Sequence, residues 1–323
     1  SSAASDVYKR QDYPYLCTIM EKFELHILGS GSALPTTRHF PTSQVVNLRD
    51  KLFMIDCGEG AQLQFRKSRL KFSRLNRIFI SHLHGDHCFG LPGLISTLGM
   101  LGRTGELVVH GPKEVETYLR PVMDLFCRGM EFEVRFNPVD TRSHSLVMED
   151  RSLSVYSIPL KHRIPTCGYL FAEKPKEAHI IREMTDFYQV PVRCMKDIKQ
   201  GQDYVTPEGE VVPNSRLTRP AAPPKRYAFC SDTAYNRSII PIIEGADLLY
   251  HEATFAECDL ARAKETFHST ARQAAEIARD AHVKRLVIGH YSARYEDLSE
   301  LHREAEAVFP GTILGNEGTV IPV

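Results

Sequence analysis

Apolar and polar residues first fall into register at Phe23-Glu24-Leu25-His26-Ile27-Leu28, a strand-like run that ends in Gly29-Ser30-Gly31-Ser32. Two further runs, 43–48 and 51–55, flank the pair Arg49-Asp50, so the pattern predicts an antiparallel sheet at the start of the chain. The glycines at 29 and 31 predict a flexible turn in which positive φ is allowed. Further on, Arg77-Ile78-Phe79-Ile80-Ser81 ends in His82, and Arg285-Leu286-Val287-Ile288-Gly289 ends in His290. Leu52-Phe53-Met54-Ile55 ends in Asp56 just as Tyr227-Ala228-Phe229-Cys230-Ser231 ends in Asp232. Two matched pairs of strands, each delivering a polar side chain at its carboxyl end, predict a fold of two similar halves. Between them the spacing predicts a strand over 153–160 and helices over 112–127 and 270–282. The first helix opens on Pro112; the second has Ser269 or Thr270 as its N-cap and Ala274, Ile277 and Ala278 on the buried stripe.

From 173 to 226 the periodicity weakens: seven prolines, few large apolar residues, and ten Lys or Arg against eight Asp or Glu. So long an excursion inside a domain is functional or mobile, and it reads as a protruding arm, with a helix near 177–188 and a small hairpin around Pro207-Glu208-Gly209. Residues 1–19 show no periodicity and read as a disordered or vector-derived leader, with Met20 as a natural start. That leaves 20–323 as one domain carrying an inserted arm.

Composition narrows the class. With 42% hydrophobic and 25% charged residues, and 20 glycines and 19 prolines in 323, the chain is neither collagen-like nor wholly disordered. No apolar run approaches 18 residues, which excludes a membrane helix. Forty basic residues balance forty acidic ones, so a polyanionic partner must be held by local patches. The eight cysteines are scattered singly, without a C-x-x-C pair or an apolar leader of signal-peptide type, and predict reduced thiols in a cytoplasm.

The chemistry concentrates in His82-Leu83-His84-Gly85-Asp86-His87, three imidazoles and a carboxylate directly after a strand. Such a density of borderline ligands suits a divalent metal of zinc type better than a solvated loop. In extended chain, residues 82 and 84 project to one side, whereas Asp86 and His87, past Gly85, can turn to a second centre. Each zinc needs about four ligands. The remaining candidates are His162, Asp232 and His290, with Asp232 able to bridge two ions about 3.5–4 Å apart.

H-x-H-x-D-H resembles the signature of the metallo-β-lactamase superfamily. Leu28-Gly29-Ser30-Gly31-Ser32-Ala33-Leu34-Pro35-Thr36, Asp56-Cys57-Gly58-Glu59-Gly60, Ser231-Asp232-Thr233, His251-Glu252-Ala253-Thr254-Phe255, His268-Ser269-Thr270 and Gly289-His290-Tyr291-Ser292-Ala293-Arg294-Tyr295 together are similar to the ribonuclease Z family, over essentially 20–323. The resemblance implies a four-layer αββα sandwich of the α/β class. It also implies two zinc ions per subunit, one held by His82, His84 and His162, the other by Asp86, His87 and His290, with Asp232 bridging. Asp86 would be the proton acceptor, His268 the donor to the leaving oxygen, and Glu252 its orienting partner; Asp56 would orient ligands without being one. The activity implied is removal of the 3′ trailer from precursor tRNA by a homodimer, leaving a 3′-hydroxyl on the tRNA and a 5′-phosphate on the trailer.

Two features bear on an RNA substrate. From Gln62 to Arg77 the chain carries six cations and no acid, and Arg66, Lys67, Arg69 and Lys71 are candidates for backbone contacts near the site. The bland alternative is a wet helix face with Leu63, Phe65, Leu70 and Phe72 inward. The arm resembles the family's tRNA-gripping arm, with Lys196, Lys199 and Gly201 in suitable places, although Val190-Pro191-Val192-Arg193 lacks the usual Gly-Pro step. A phosphodiesterase or arylsulfatase of the same superfamily, acting on a small molecule, would use the same metal loop but need neither patch nor arm.

Overall fold

The alternating runs form strands in the computed structural model, which describes residues 22–323; the leader expected at 1–19 lies outside the described residues. The first half supplies β1 (Phe23–Gly29), β2 (Ser43–Leu48), β3 (Lys51–Cys57), β4 (Leu75–Phe79), β5 (Leu107–Gly111) and β6 (Val134–Pro138). The second supplies β7 (Leu146–Glu149), β8 (Leu153–Pro159) and β9 (Cys167–Glu173), then β10 (His179–Ile180), β11 (Tyr204–Val205), β12 (Val211–Val212) and β13 (Thr218–Arg219) within the arm. After the arm come β14 (Arg226–Cys230), β15 (Leu248–Glu252), β16 (Leu286–Gly289), β17 (Ile313–Leu314) and β18 (Val320–Pro322). Among the described residues these make two seven-stranded sheets, β18-β1-β2-β3-β4-β5-β6 and β17-β16-β15-β14-β9-β8-β7.

Both faces of each sheet are buried, and the alternation of side chains sorts them into separate cores. Phe53 and Ile55 join Tyr169, Phe171, Tyr227 and Phe229 between the sheets. Their neighbours Leu52 and Met54 face the helices Ala61–Lys67, Leu91–Met100 and Glu114–Phe126, while Ala228 and Cys230 face Ala271–Asp280 and Ser299–Glu306. The result is the helix-sheet-sheet-helix layering expected of the sandwich. Strands β3, β4 and β5 run parallel, as do β14, β15 and β16, so each set collects its carboxyl ends on one edge. Because β8 is antiparallel to β9 and β9 to β14, β8 ends on that edge too.

Several local expectations change. Arg49 and Asp50 both take left-handed φ, 51° and 66°, the turn whose twist suits a two-residue hairpin. Gly29 and Gly31 do not need positive φ. Instead, a Cβ on Gly29 would sit 1.8 Å from the Pro41 carbonyl oxygen, so the residue is bare to let two backbones meet. Leu63 is 58% exposed, not inward, because it lies two positions from buried Phe65 on a short helix and so points to another face. In the arm, the segment near 177–188 divides into β10 and a helix over Arg182–Phe187, while β11 and β12 pair around the predicted turn. The arm also has a small core of its own, Val190, Ile198, Tyr204, Val212 and Leu217, which the sparse apolar residues had concealed.

The helix Ala271–Asp280 carries the loop holding His268 and is fixed by a capping box: Thr270 Oγ1 accepts from the Gln273 N–H at 3.2 Å, and Gln273 Oε1 accepts from the Thr270 N–H at 3.1 Å. Thr270→Ala is expected to cost about 1 kcal/mol and to lower Tm by roughly 2–4 °C. An unchanged thermal unfolding curve would show that the box is decorative.

Candidate metal centre

The polar residues at the strand ends converge. Asp56, Asp232 and His290 leave their strands with φ of 54°, 59° and 61°, a left-handed conformation that non-glycine residues adopt only where the surroundings impose it. Asp56 is the extra residue of a β-bulge opposite Ser43 and Gln44, a device that re-aims a side chain out of the pleat. His82 to His87 follow β4 and enter the short helix Gly85–Cys88, and His162 stands in the turn after β8.

Two donor sets share Asp232. Oδ2 lies 3.6 Å from His82 Nε2 and 3.7 Å from His162 Nε2, while His84 Nδ1 is 3.0 Å from the first nitrogen and 3.3 Å from the second. Oδ1 lies 3.2 Å from both His87 Nε2 and His290 Nε2, and Asp86 Oδ2 is 3.3 Å and 3.5 Å from those nitrogens. Ligand atoms 2.0–2.1 Å from a tetrahedral zinc are about 3.3–3.4 Å apart, so both sets have the separations such an ion demands.

The opposite edges of the rings fix their tautomers when neutral. Ser81 Oγ donates to Asp56 Oδ2 at 2.9 Å, so it accepts from His82 Nδ1, also 2.9 Å away. Asp56 Oδ2 accepts from His87 Nδ1 at 2.7 Å, and the Phe267 carbonyl accepts from His162 Nδ1 at 3.1 Å. Thr254 Oγ1 donates to Glu252 Oε2 at 2.5 Å and accepts from His290 Nδ1 at 2.9 Å. All four imidazoles thus present a bare Nε2 to the centre, and among the described residues those of His87 and His290 are buried without a hydrogen-bond partner. Buried orphan acceptors are costly, and a cation relieves them.

Burial holds the imidazoles of His82, His84 and His162 below their usual value, which keeps them neutral. Burial also disfavours ionised Asp86, yet His87 and His290 outweigh it and hold that carboxyl well below the ordinary range. His87 is opposed by burial but crowded by Asp232, Asp86 and Asp56, which push it well above its usual value. A divalent cation among the same groups would take the place of that proton.

Beside this centre, Glu252 is fully buried and satisfied: it accepts from the Thr233, Thr254 and Ser269 N–H groups and from His268 Nδ1 at 2.8 Å. Burial disfavours a charged His268, but Glu252 overrides it and raises its pKa to about 9. The imidazolium is therefore available to donate from Nε2.

An open cleft of about 970 Å³ leads to the centre, lined by His84, Asp86, His162, Asp232, His268 and His290. Arg66, Lys67, Arg69 and Lys71 are exposed on and after the helix Ala61–Lys67, but among the described residues none of them lines it. Lys67 Nζ lies 5.6 Å over the Phe40 ring, one residue from Pro41 in the cleft wall. Lys196 and Lys199 lie on the arm helix Met195–Lys199; Lys199 borders a second hollow with Arg49, at the opposite end of β3 from Asp56. The cations that do line the cleft are Arg163, Arg262 and Arg294, none of them among the candidates for RNA contact, although Arg294 belongs to the motif that begins at Gly289. Arg163, adjacent to a candidate ligand, and Arg294, four residues after another, carried a signal; Arg262 carried none.

A family model described as anti-Pycsar protein Apyc1 matches residues 23–113, from β1 through the cluster at 82–87. The chain is 77% identical over 304 residues to a ribonuclease Z of Parabacteroides distasonis, covering 94% of this chain and 100% of that protein. It is 67% identical over 302 residues to a ribonuclease Z of Bacteroides fragilis, covering 94% and 99% respectively. The crystal structure of the short form of human tRNase Z is similar with a TM-score of 0.67 at 25% identity, over 93% of this chain and 100% of that one.

Proposed function

The chain belongs to the ribonuclease Z family, and from that premise we propose that each donor set holds one zinc ion and that the residues around them cut precursor tRNA to leave a 3′-hydroxyl on the tRNA and a 5′-phosphate on the trailer. The protein is a metal-dependent endoribonuclease of tRNA 3′ processing. The observation that carries the two-ion reading is Asp232, whose two oxygens address separate pairs of histidines.

His82, His84 and His162 would hold one ion, Asp86, His87 and His290 the other, and Asp232 would bridge them. Bound zinc supplies Lewis acidity, lowering the pKa of water toward neutrality and offsetting charge on the phosphodiester. Asp86 accepts the proton of the attacking water. His268, held by Glu252 through Nδ1, delivers a proton from Nε2 to the leaving oxygen. With carboxylates alone beside it His268 sits at about 9; nearby cations would draw that value toward the neutral range in which a donor works best. Asp56 fixes His87 and, through Ser81, His82.

Arg66, Lys67, Arg69 and Lys71 are proposed to meet the RNA backbone outside the cleft, and Lys196 and Lys199 to meet it from the arm, which we take as an insertion in a single catalytic domain. Homodimerisation, with one subunit's arm serving the other's centre, belongs to the same proposal and rests on the family likeness. The free thiols of the described cysteines support a reducing compartment, the cytoplasm.

The test is a 3′-extended tRNA transcript with its product ends mapped. The wild type is expected to release the trailer with the stated termini. His268→Ala should keep its metal and lose roughly 10²–10⁴-fold in rate. Products with a 3′-phosphate, or a His268→Ala rate equal to wild type, would refute the mechanism.

A further inference from the structure

The cleft is chemically lopsided. The first half gives it the exposed side chains Leu34 and Phe89, together with Glu59, whereas the second half gives it Arg163, Arg262 and Arg294 beside the buried Phe255. Leu34 is 70% and Phe89 65% exposed; Phe126 and Phe187 are exposed as well, but among the described residues neither lines this cleft. Large apolar groups left in water at the mouth of a catalytic cleft mark a surface that a ligand covers.

Both groups are held in place. Phe89 caps the helix Gly85–Cys88 with its N–H on the Gly85 carbonyl at 2.9 Å, and its ring lies so close to Gly85 that a Cβ there would be 2.3 Å from the ring edge. Leu34 sits on a loop pinned at both ends by one carboxylate: Glu317 accepts from the Ser30 N–H at 3.1 Å, the Ser30 hydroxyl at 3.2 Å, the Phe40 N–H at 2.9 Å and His39 Nδ1 at 3.0 Å. The ring stands three residues from Asp86 and lines the same cleft, a platform beside the centre. On the other side, among the described residues Arg163 donates only to the neutral Glu265 carbonyl, and Arg262 has a loose 3.7 Å contact with Glu265, so neither charge is neutralised by a close ion pair there.

We propose that Phe89, with Leu34 of the same cleft, forms a base-stacking subsite for the unpaired nucleotide next to the scissile phosphate, while Arg163 and Arg262 take flanking phosphates. This rests on the RNA-cleaving reading above. Every base has a π-face, so such a platform grips trailers of any sequence.

The experiment compares wild type, Phe89→Ala, Phe89→Trp and Phe89→Leu on a 3′-extended tRNA and on the same RNA made abasic at the nucleotide on either side of the cut. Phe89→Ala should lower kcat/KM roughly 5- to 100-fold on intact RNA, mainly through KM, at unchanged metal content. Tryptophan should restore it and leucine should not. One of the two abasic RNAs should bring wild type and Phe89→Ala to the same value. Phe89→Ala should leave the slope of log kcat/KM against log salt unaltered, and Arg262→Ala should flatten it by about 0.7–1. Equal losses on intact and both abasic RNAs, rescue by leucine, or lost metal would overturn the subsite. Failure of the underlying reading looks different: the wild type would leave the intact precursor uncut.

Discussion

Asp232→Ala is expected to slow cleavage of a 3′-extended tRNA by at least about 10³-fold and to leave the purified protein with roughly half or less of its wild-type metal. The carboxylate is buried, and each of its oxygens faces two histidine nitrogens at 3.2–3.7 Å. Removing it takes one donor from each set at once, which no other single substitution in the centre does. If Asp232 were only a buried partner for histidines, the variant would lose stability but bind metal as before. Metal content measured together with single-turnover cleavage separates the two, and an unchanged content would end the two-ion model.

Gly29→Ala is expected to lower stability by about 3 kcal/mol or more and Tm by roughly 6 °C or more. Its added Cβ would meet the Pro41 carbonyl oxygen at 1.8 Å and carbon at 2.8 Å, and the Phe40 oxygen at 2.9 Å. These are backbone atoms tied into β2 and the cleft wall, so no side-chain rotation relieves the clash. Thermal unfolding checks it; a variant as stable as wild type would show that the 30–41 loop yields.

Much of this centre was legible because its ligands end strands. The matched pairs His82 with His290 and Asp56 with Asp232 are visible as polar stops on apolar runs, and the parallel strands then bring those stops to one edge. His162 was legible for the same reason. What escaped had no such marker. Arg262 is a single cation on a short helix, and only folding places it in the cleft. Glu317 joins partners some 280 residues away, a relation that no local spacing encodes. Gly29 was visible, but its role was misjudged because a glycine signals freedom in φ and close approach alike. The arm's core was hidden because five small or medium apolar residues among many prolines carry no period.

The provenance of the seven donors has a mechanical consequence. His82, His84, Asp86 and His87 come from the first sheet's side, and His162, Asp232 and His290 from the second's. Counting Asp232 in both, each ion would draw two donors from either side and would act as a rivet through the seam between the sheets. Parting the halves would take two donors from each ion and leave neither set with the four that a tetrahedral zinc needs. Bound metal would thus tighten a seam that the apolar core between the sheets already closes, and a chain whose halves had not met would lack a complete centre.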